Sequence, residues 1–319
     1  MTRTYRHLFG PVPSRRFGRS LGIDQTPFKT CSYDCIFCQL GRTTRHTLQR
    51  ENFIEVGEVI AEIDHWLKND GKANQITLAG SGEPTLHAGF GEIVAHLKAR
   101  TNIPVAILTN GSTLHLPEVR SAAAQADIVK ISLSAWDQKS LEKVNRPAPG
   151  CTFEQMIHGE IQFRQEFKGQ LWLEVFLIDG INAEVEEVQK IAAMSRQIKP
   201  DRIQLNTCVR PPAEEFAKAV GEARLRELAG VFKPAAEVIA VYQARDTSEI
   251  KASEEAILEM LRRRPCTAGQ IAEAFGMHLN EVAKFIGMLM GSSKIQAVHR
   301  DQDVYYFSET SSRSETHGA

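Results

Sequence analysis

Segments with helical spacing alternate with short apolar runs from about residue 53 onward, and this alternation constrains the fold more than any other feature. Val59, Ile60, Ile63, Trp66 and Leu67 fall on one side of VGEVIAEIDHWLKN (56–69), which predicts an amphipathic helix. QITLAG (75–80) is apolar and ends in glycine, as a buried strand does. The pattern repeats: FGEIVAHLKAR (90–100) as helix, PVAILTNG (104–111) as strand, and PEVRSAAAQA (117–126) as helix with Pro117 suited to a first turn. DIVKISLSA (127–135) reads as strand, and TFEQMIHGEIQFRQEF (152–167) as helix capped by Thr152. LWLEVFLIDG (171–180) reads as strand, AEVEEVQKIAAMSRQIK (183–199) as helix, DRIQLNTCV (201–209) as strand and AEEFAKAVGEARLRELAGVF (213–232) as helix. With a first strand near RSLGID (19–24), this gives six strand–helix units. Apolar strands covered by helices predict an α/β fold with a parallel sheet. Six units suit a partial (βα)6 barrel; a closed eightfold one would need ~250 residues. Such barrels carry their chemistry at the carboxyl ends of the strands.

The pattern changes after about residue 243. QARDTSE (243–249) is polar and reads as a linker. SEEAILEMLRRRP (253–265), TAGQIAEAFG (267–276) and NEVAKFIGMLMGS (280–292) read as three helices, with Thr267 and Gly276 as cap and terminator of the second. KIQAVHRDQDVYYF (294–307) reads as a hairpin. Three helices and a hairpin predict a small winged-helix-like domain over 249–307. Its core would be Ile257, Leu258, Leu261, Ile271, Phe275, Val282, Phe285, Ile286 and Leu289. The first domain would run over 1–243, and 308–319 lacks the apolar residues to order itself.

No run of about 18 apolar residues predicts a membrane span, and the start lacks a signal-peptide core. These features predict a cytoplasmic protein. In a reducing compartment clustered cysteines bind metal or do redox chemistry more often than they pair. Net charge is −1, so the chain offers no general field for polyanions. Residues 1–50 nonetheless carry nine Arg and Lys against Asp24 and Asp34 alone, which fits a solvated basic face or an anion-facing surface.

Three of the six cysteines lie in CSYDCIFC (31–38), directly after the expected first strand. Cys31, Cys35 and Cys38 follow C-x3-C-x2-C. Thiolates this close can converge on one cluster or one ion. A four-iron cube held by three cysteines keeps one iron open; a zinc ion would take His46 as its fourth ligand. Spacing alone leaves both readings standing.

The second strand then ends in AGSGEPTL (79–86). The cysteine spacing, Phe37 before the last cysteine and the Gly82-Glu83-Pro84 segment together resemble the radical S-adenosylmethionine superfamily. FGPVPSRRFGRSLGID (9–24) and CQLGRT (38–43) resemble its subgroup of iron–sulfur oxidoreductases grouped with wyosine-type tRNA-modifying enzymes. The resemblance covers about residues 8 to 215. It implies a [4Fe-4S] cluster on Cys31, Cys35 and Cys38, with S-adenosylmethionine bound at the open iron. Phe37, Gly82, Glu83 and Pro84 would lie against that cofactor, and Thr109, Asn110, Ser132, Ser134, Gly180 and Asn206 would line its site from successive strand ends. The implied reaction is one-electron cleavage to methionine and a 5′-deoxyadenosyl radical, which then abstracts hydrogen from a substrate. A low-potential donor, flavodoxin or ferredoxin, is implied as partner.

Cys208, at the expected end of the sixth strand, is a candidate hydrogen-atom donor or an ordinary buried thiol. Arg210 is a candidate anion contact, although a rigid turn explains the RPP sequence as well. Residues 249–307 hold seven Arg and Lys and eight Asp and Glu, so the small domain is a poor polyanion binder. The substrate classes left open are an RNA base, a polypeptide or a small molecule. A glycyl-radical-type activator and a zinc-stabilised DNA-binding regulator are the alternative functions.

Overall fold

A computed structural model describes residues 5–14, 18–239, 254–275, 277, 279–300 and 303–308. The expected linker and nearly all of the expected tail lie outside the described residues, as does Gly276.

The chain opens with a strand that the sequence pattern does not announce. β1 (Leu8–Ser14) pairs antiparallel with β2 (Gly18–Ile23) at the sheet edge. An edge strand tolerates its two prolines because one side needs no ladder donors. The cysteine loop follows, with β3 (Thr30–Cys31) paired parallel to β4 (Arg45–His46). Next come α1 (Val56–Asn69), β5 (Gln75–Leu78), α2 (Phe90–Arg100), β6 (Val105–Thr109) and α3 (Pro117–Ala123). They are followed by β7 (Ile128–Ser132), α4 (Gln138–Val144), α5 (Phe153–Glu166) and β8 (Gln170–Phe176). A short β9 (Ile178–Asp179) and α6 (Val185–Ile198) complete the fifth unit, and β10 (Arg202–Asn206) opens the sixth.

The helix expected over 213–232 is only partly present. Lys218–Ala219 form β11, antiparallel to β9, and α7 is confined to Glu222–Ala229. Gly221 stands at its N-cap, while the Val220 N–H is drawn to Thr207 Oγ1 at 2.8 Å. A final short strand, β12 (Glu237–Val238), pairs with β10.

The main sheet runs β1-β2-β5-β6-β7-β8-β10-β12, with every pair parallel except β1–β2. Its two ends do not pair with each other, so it forms a partial barrel rather than a closed one. Helices cover one face: Ile63 and Trp66 of α1, Phe90 and Leu97 of α2, and Ile191 of α6 are all buried in one core with Leu78, Ile107, Val129, Leu173 and Leu205. The other face is partly polar. Ser20 Oγ meets Thr77 Oγ1 at 2.7 Å there, and the Lys130 ammonium donates to Glu174.

The C-terminal segment has its own core. α8 (Glu254–Arg263), α9 (Ala268–Phe275) and α10 (Leu279–Gly291) pack with a sheet ordered β13 (Cys266–Thr267), β15 (Asp303–Phe307), β14 (Gln296–Arg300). Its buried residues include all of the expected core except Phe285, which is half-buried, and add Met260, Cys266, Ala274 and Ile295.

Candidate active site

The cysteine loop lies across the carboxyl ends of the strands, held by backbone hydrogen bonds from three sides. Lys29 N–H donates to Ser81 O, and Glu83 N–H to Thr30 O, tying the loop to the segment after β5. Ile36 N–H donates to Val144 O and Asp34 N–H to Asn145 O, tying it to the end of α4. Glu214 N–H donates to Ile36 O, closing the third side. The side chains add to this. Asp34 accepts from Thr43 N–H and Arg42, and Arg42 and Arg146 both reach Glu214. Burial would raise the Asp34 pKa, but these donors outweigh it and hold the carboxyl below its usual range.

Each of the three sulfurs receives one side-chain nitrogen. Lys29 Nζ lies 3.2 Å from Cys38 Sγ, Asn110 Nδ2 lies 3.6 Å from Cys31 Sγ and Asn145 Nδ2 lies 3.2 Å from Cys35 Sγ. Burial, followed by the charge of Glu83, pushes the Cys31 thiol up to about 12. Burial, followed by the charges of Cys31 and Cys38, pushes the Cys35 thiol up as well. Uncompensated, these thiols therefore keep their protons. Among the described residues, no three His, Cys, Asp or Glu side chains form a set that could hold a single metal ion. His46, the fourth ligand a zinc reading needs, has Nε2 3.2 Å from the Ser32 carbonyl.

Glu83 is almost fully buried. Its Oε1 accepts from Thr85 Oγ1 and Thr109 Oγ1, both at 2.6 Å, and its Oε2 accepts from Asn110 N–H at 2.7 Å. Burial raises its pKa, opposed by these same donors. The carboxylate thus fastens the turn after β5 to the end of β6. Gly82 is required beside it, because a Cβ there would lie 1.9 Å from the Thr30 carbonyl oxygen.

A cavity of about 460 Å³ opens beside the sulfurs. Of the candidate residues, Cys31, Cys35, Phe37, Cys38, Gly82 and Glu83 line it, as do Thr109, Asn110, Ser132, Asn206 and Cys208. Phe37 stacks on Phe176, with ring centroids 4.0 Å apart. Three candidates sit elsewhere. Pro84 is buried in a 3-10 turn, and its carbonyl accepts from Gln25 at 2.9 Å. Ser134 Oγ accepts from Phe176 N–H at 3.1 Å, which makes it a staple between strands. Gly180 occupies an exposed turn. Sequence reasoning missed Lys29 and Asn145, whose proximity to the thiols arises only on folding. It also missed Lys130 and Glu174, whose charges in otherwise apolar strands were the available signal.

A partial parallel barrel with a thiol-lined cavity at its carboxyl end defines a class, and the comparisons agree with it. Residues 26–192, over half of the chain, match the family described as the Radical SAM superfamily, and the chain belongs to that family. Its relatives include a UPF0026 protein of Methanocaldococcus jannaschii, 30% identical over 312 residues, covering 96% of this chain and 97% of that one. A Helicobacter pylori UPF0026 protein is 37% identical over 214 residues, covering 66% of this chain and 69% of its own. A Brachyspira hyodysenteriae protein named GTPase Obg is 39% identical over 295 residues; they are 91% of this chain but only 43% of that one, so the chain spans less than half of that relative. Among solved structures, TYW1 with a bound lysine-pyruvate adduct aligns with a TM-score of 0.52 at 17% identity, covering 68% of this chain and 74% of the other. A radical SAM methyltransferase from Sphaerobacter thermophilus aligns at 0.53 and 17%, covering 69% and 66%. These two show the fold.

Proposed function

We propose that this is a radical S-adenosylmethionine enzyme, in which Cys31, Cys35 and Cys38 hold three irons of a [4Fe-4S] cluster and the adjoining cavity takes the cofactor. The observation that carries the reading is the set of donors on the sulfurs: Lys29, Asn110 and Asn145 each offer an N–H to a different one. Such donors stabilise thiolates and help set a cluster's potential. The thiols feel one another's charge and yet form no single-ion set among the described residues. In a cube each thiolate would bind its own iron, so the three need not converge on one ion. When bound, the cluster and S-adenosylmethionine supply one-electron cleavage to a 5′-deoxyadenosyl radical, with a flavodoxin or ferredoxin as electron source.

The chain's own residues supply position and seclusion. Gly82 lets the segment after β5 approach the cysteine loop. Glu83 locks that segment to the end of β6, and Phe37 and Phe176 wall the cavity with apolar surface. The roles of Thr109, Ser132 and Asn206 are contacts to the cofactor from the strand ends. Pro84 and Ser134 act behind them, on the backbone.

The segment from Glu254 to Phe307 is winged-helix-like in order, and its role is to close the barrel mouth rather than to bind nucleic acid. Met260, Arg263 and Arg264 line the same cavity as the cysteines. The test is anaerobic reconstitution with iron and sulfide, reduction, and addition of S-adenosylmethionine. 5′-Deoxyadenosine is the expected product, and Cys35→Ala is expected to abolish both it and the brown chromophore. Product formation unchanged in that variant overturns the cluster assignment; zinc without iron in oxygen-protected protein restores the regulator reading.

A further inference from the structure

Arg210 follows β10 and lies in the cavity wall beside the C-terminal segment, whose Cys266 thiol and Tyr305 also act on it. The residue is half-buried, and one of its Nη atoms donates to Gln39 Oε1 at 3.3 Å. Its Nε is fully buried and has no hydrogen-bond partner among the described residues. Arg264 faces the same cavity from just past the end of α8, and its hydrogen bond is a long one to Met260 Sδ, 3.7 Å. Neither guanidinium has a carboxylate partner among the described residues. Their neighbour Arg263 differs, since it is paired with Asp24. Burial, and then the like charge of Arg264, pushes Arg210 down to about 10. A third guanidinium, Arg300 of β14, acts on Cys208 at the same mouth.

Holding like charges together in a partly buried wall, with one buried donor left unused, is costly unless an anion completes the arrangement. Guanidinium forks match the oxygen geometry of phosphate and carboxylate groups. The cavity also lies in the size range that receives small molecules. We propose that Arg210 and Arg264 form an oxyanion subsite, one arm from the barrel and one from the C-terminal segment, that holds a phosphate or carboxylate group of the substrate. That the anion belongs to a substrate rests on the radical-enzyme reading; the anion subsite itself does not. On this arrangement the C-terminal segment completes the specificity site, since the barrel alone supplies only half of the clamp.

The test uses the full-length, anaerobically reconstituted protein and two calorimetric titrations, one with pyrophosphate and one with malonate. Binding of at least one probe is expected, and the tighter of the two identifies the group. Arg210→Gln and Arg264→Gln should each weaken it about 10- to 100-fold, the loss of a charged hydrogen bond. Should either glutamine variant fail to fold, the lysine variant keeps the charge without the fork and should show a smaller loss. Absence of binding by both probes, or equal affinity in all variants, overturns the inference. So does complete displacement of the probe by S-adenosylmethionine, which would assign the arginines to the cofactor's carboxylate. Iron content and 5′-deoxyadenosine are read on the same samples. Brown, cofactor-cleaving protein that ignores both anions overturns this inference alone. Colourless protein that binds them supports the subsite and overturns the radical reading.

Discussion

Single side chains at this site are held in costly states, and each such state predicts a measurable effect. Glu160 of α5 is fully buried, with neither carboxyl oxygen hydrogen-bonded among the described residues. It lies beneath the turn after β6, where a Cβ on Gly111 would come within 2.4 Å of its Oε1. Burial alone pushes its pKa well above the usual carboxyl range. The folded protein therefore holds this proton more tightly than the unfolded chain does. The stability Glu160 contributes is complete below the unfolded carboxyl pKa, near 4.3, and is lost as pH rises through the folded value. Glu160→Gln should thus gain on the wild type as pH climbs from 5 to 8, by at most about 1.4 kcal/mol per unit. Denaturant midpoints at three pH values would check this, and a pH-independent difference would refute it. Gly82→Ala makes the opposite case, because its clash is with a backbone carbonyl that cannot step aside. A loss of about 1–3 kcal/mol is expected, with iron retention falling alongside it. Full stability in urea melts of the alanine variant would mean that the segment after β5 has room to move.

Elements carry the site because their ends are fixed, and α4 is the clearest instance. Asp137 Oδ1 accepts from Ser140 N–H at 2.7 Å, and Ser140 bonds back to complete a capping box. The other end of α4 supplies the Val144 and Asn145 carbonyls that anchor the cysteine loop, and the amide that faces Cys35. Asp137→Ala should cost about 0.5–2 kcal/mol. It should also lower the iron retained after gel filtration, although Asp137 touches no cysteine. Lost stability with iron content intact would separate the helix from the site. Much of this layer was legible in advance. α1 and α2 begin and end where their apolar spacing says, because amphipathic period and packing agree there. The Ala- and Glu-rich stretch 213–221 has helical composition, yet Thr207 and β9 claim its backbone. β1 was illegible for the converse reason, since its prolines mask a strand that only an edge position permits. The cysteines and Gly82-Glu83 could be read because each motif is contiguous. Lys29 and Asn145 could not, because only folding brings them to the sulfurs; Arg210 was readable as an anion contact, but not its pairing with Arg264, which a separate element brings to the cavity.

At the scale of the whole molecule, the question is what joins the C-terminal segment to the barrel. One ion pair stands out. Arg263, at the end of α8, reaches Asp24 across 239 residues of sequence. Asp24 also accepts from Ser81 Oγ at 2.6 Å, and the Arg263 guanidinium lies 4.3 Å from the centroid of the Phe9 ring. Side-chain exposure is 22% for the arginine and 10% for the aspartate, so water screens the pair only partly. Tyr305 adds a hydroxyl bond to the Val209 carbonyl at 3.3 Å, on the other side of the mouth. In the sequence, Arg263 reads only as a favourable charge at a helix end, and Asp24 only as one acid in a basic stretch. If the pair docks the segment, removing either partner leaves the other charge stranded, at about 3–5 kcal/mol for a buried pair. The loss should be smaller here, because the arginine is partly wet. Asp24→Asn and Arg263→Gln should each speed proteolytic separation of the two parts. The double variant should cost less than the sum of the single ones, since no stranded charge remains. A double-mutant cycle by thermal melting, read beside the cleavage rates, measures that coupling. Strictly additive losses would mean that Asp24 serves Ser81 alone and that the segment is held elsewhere.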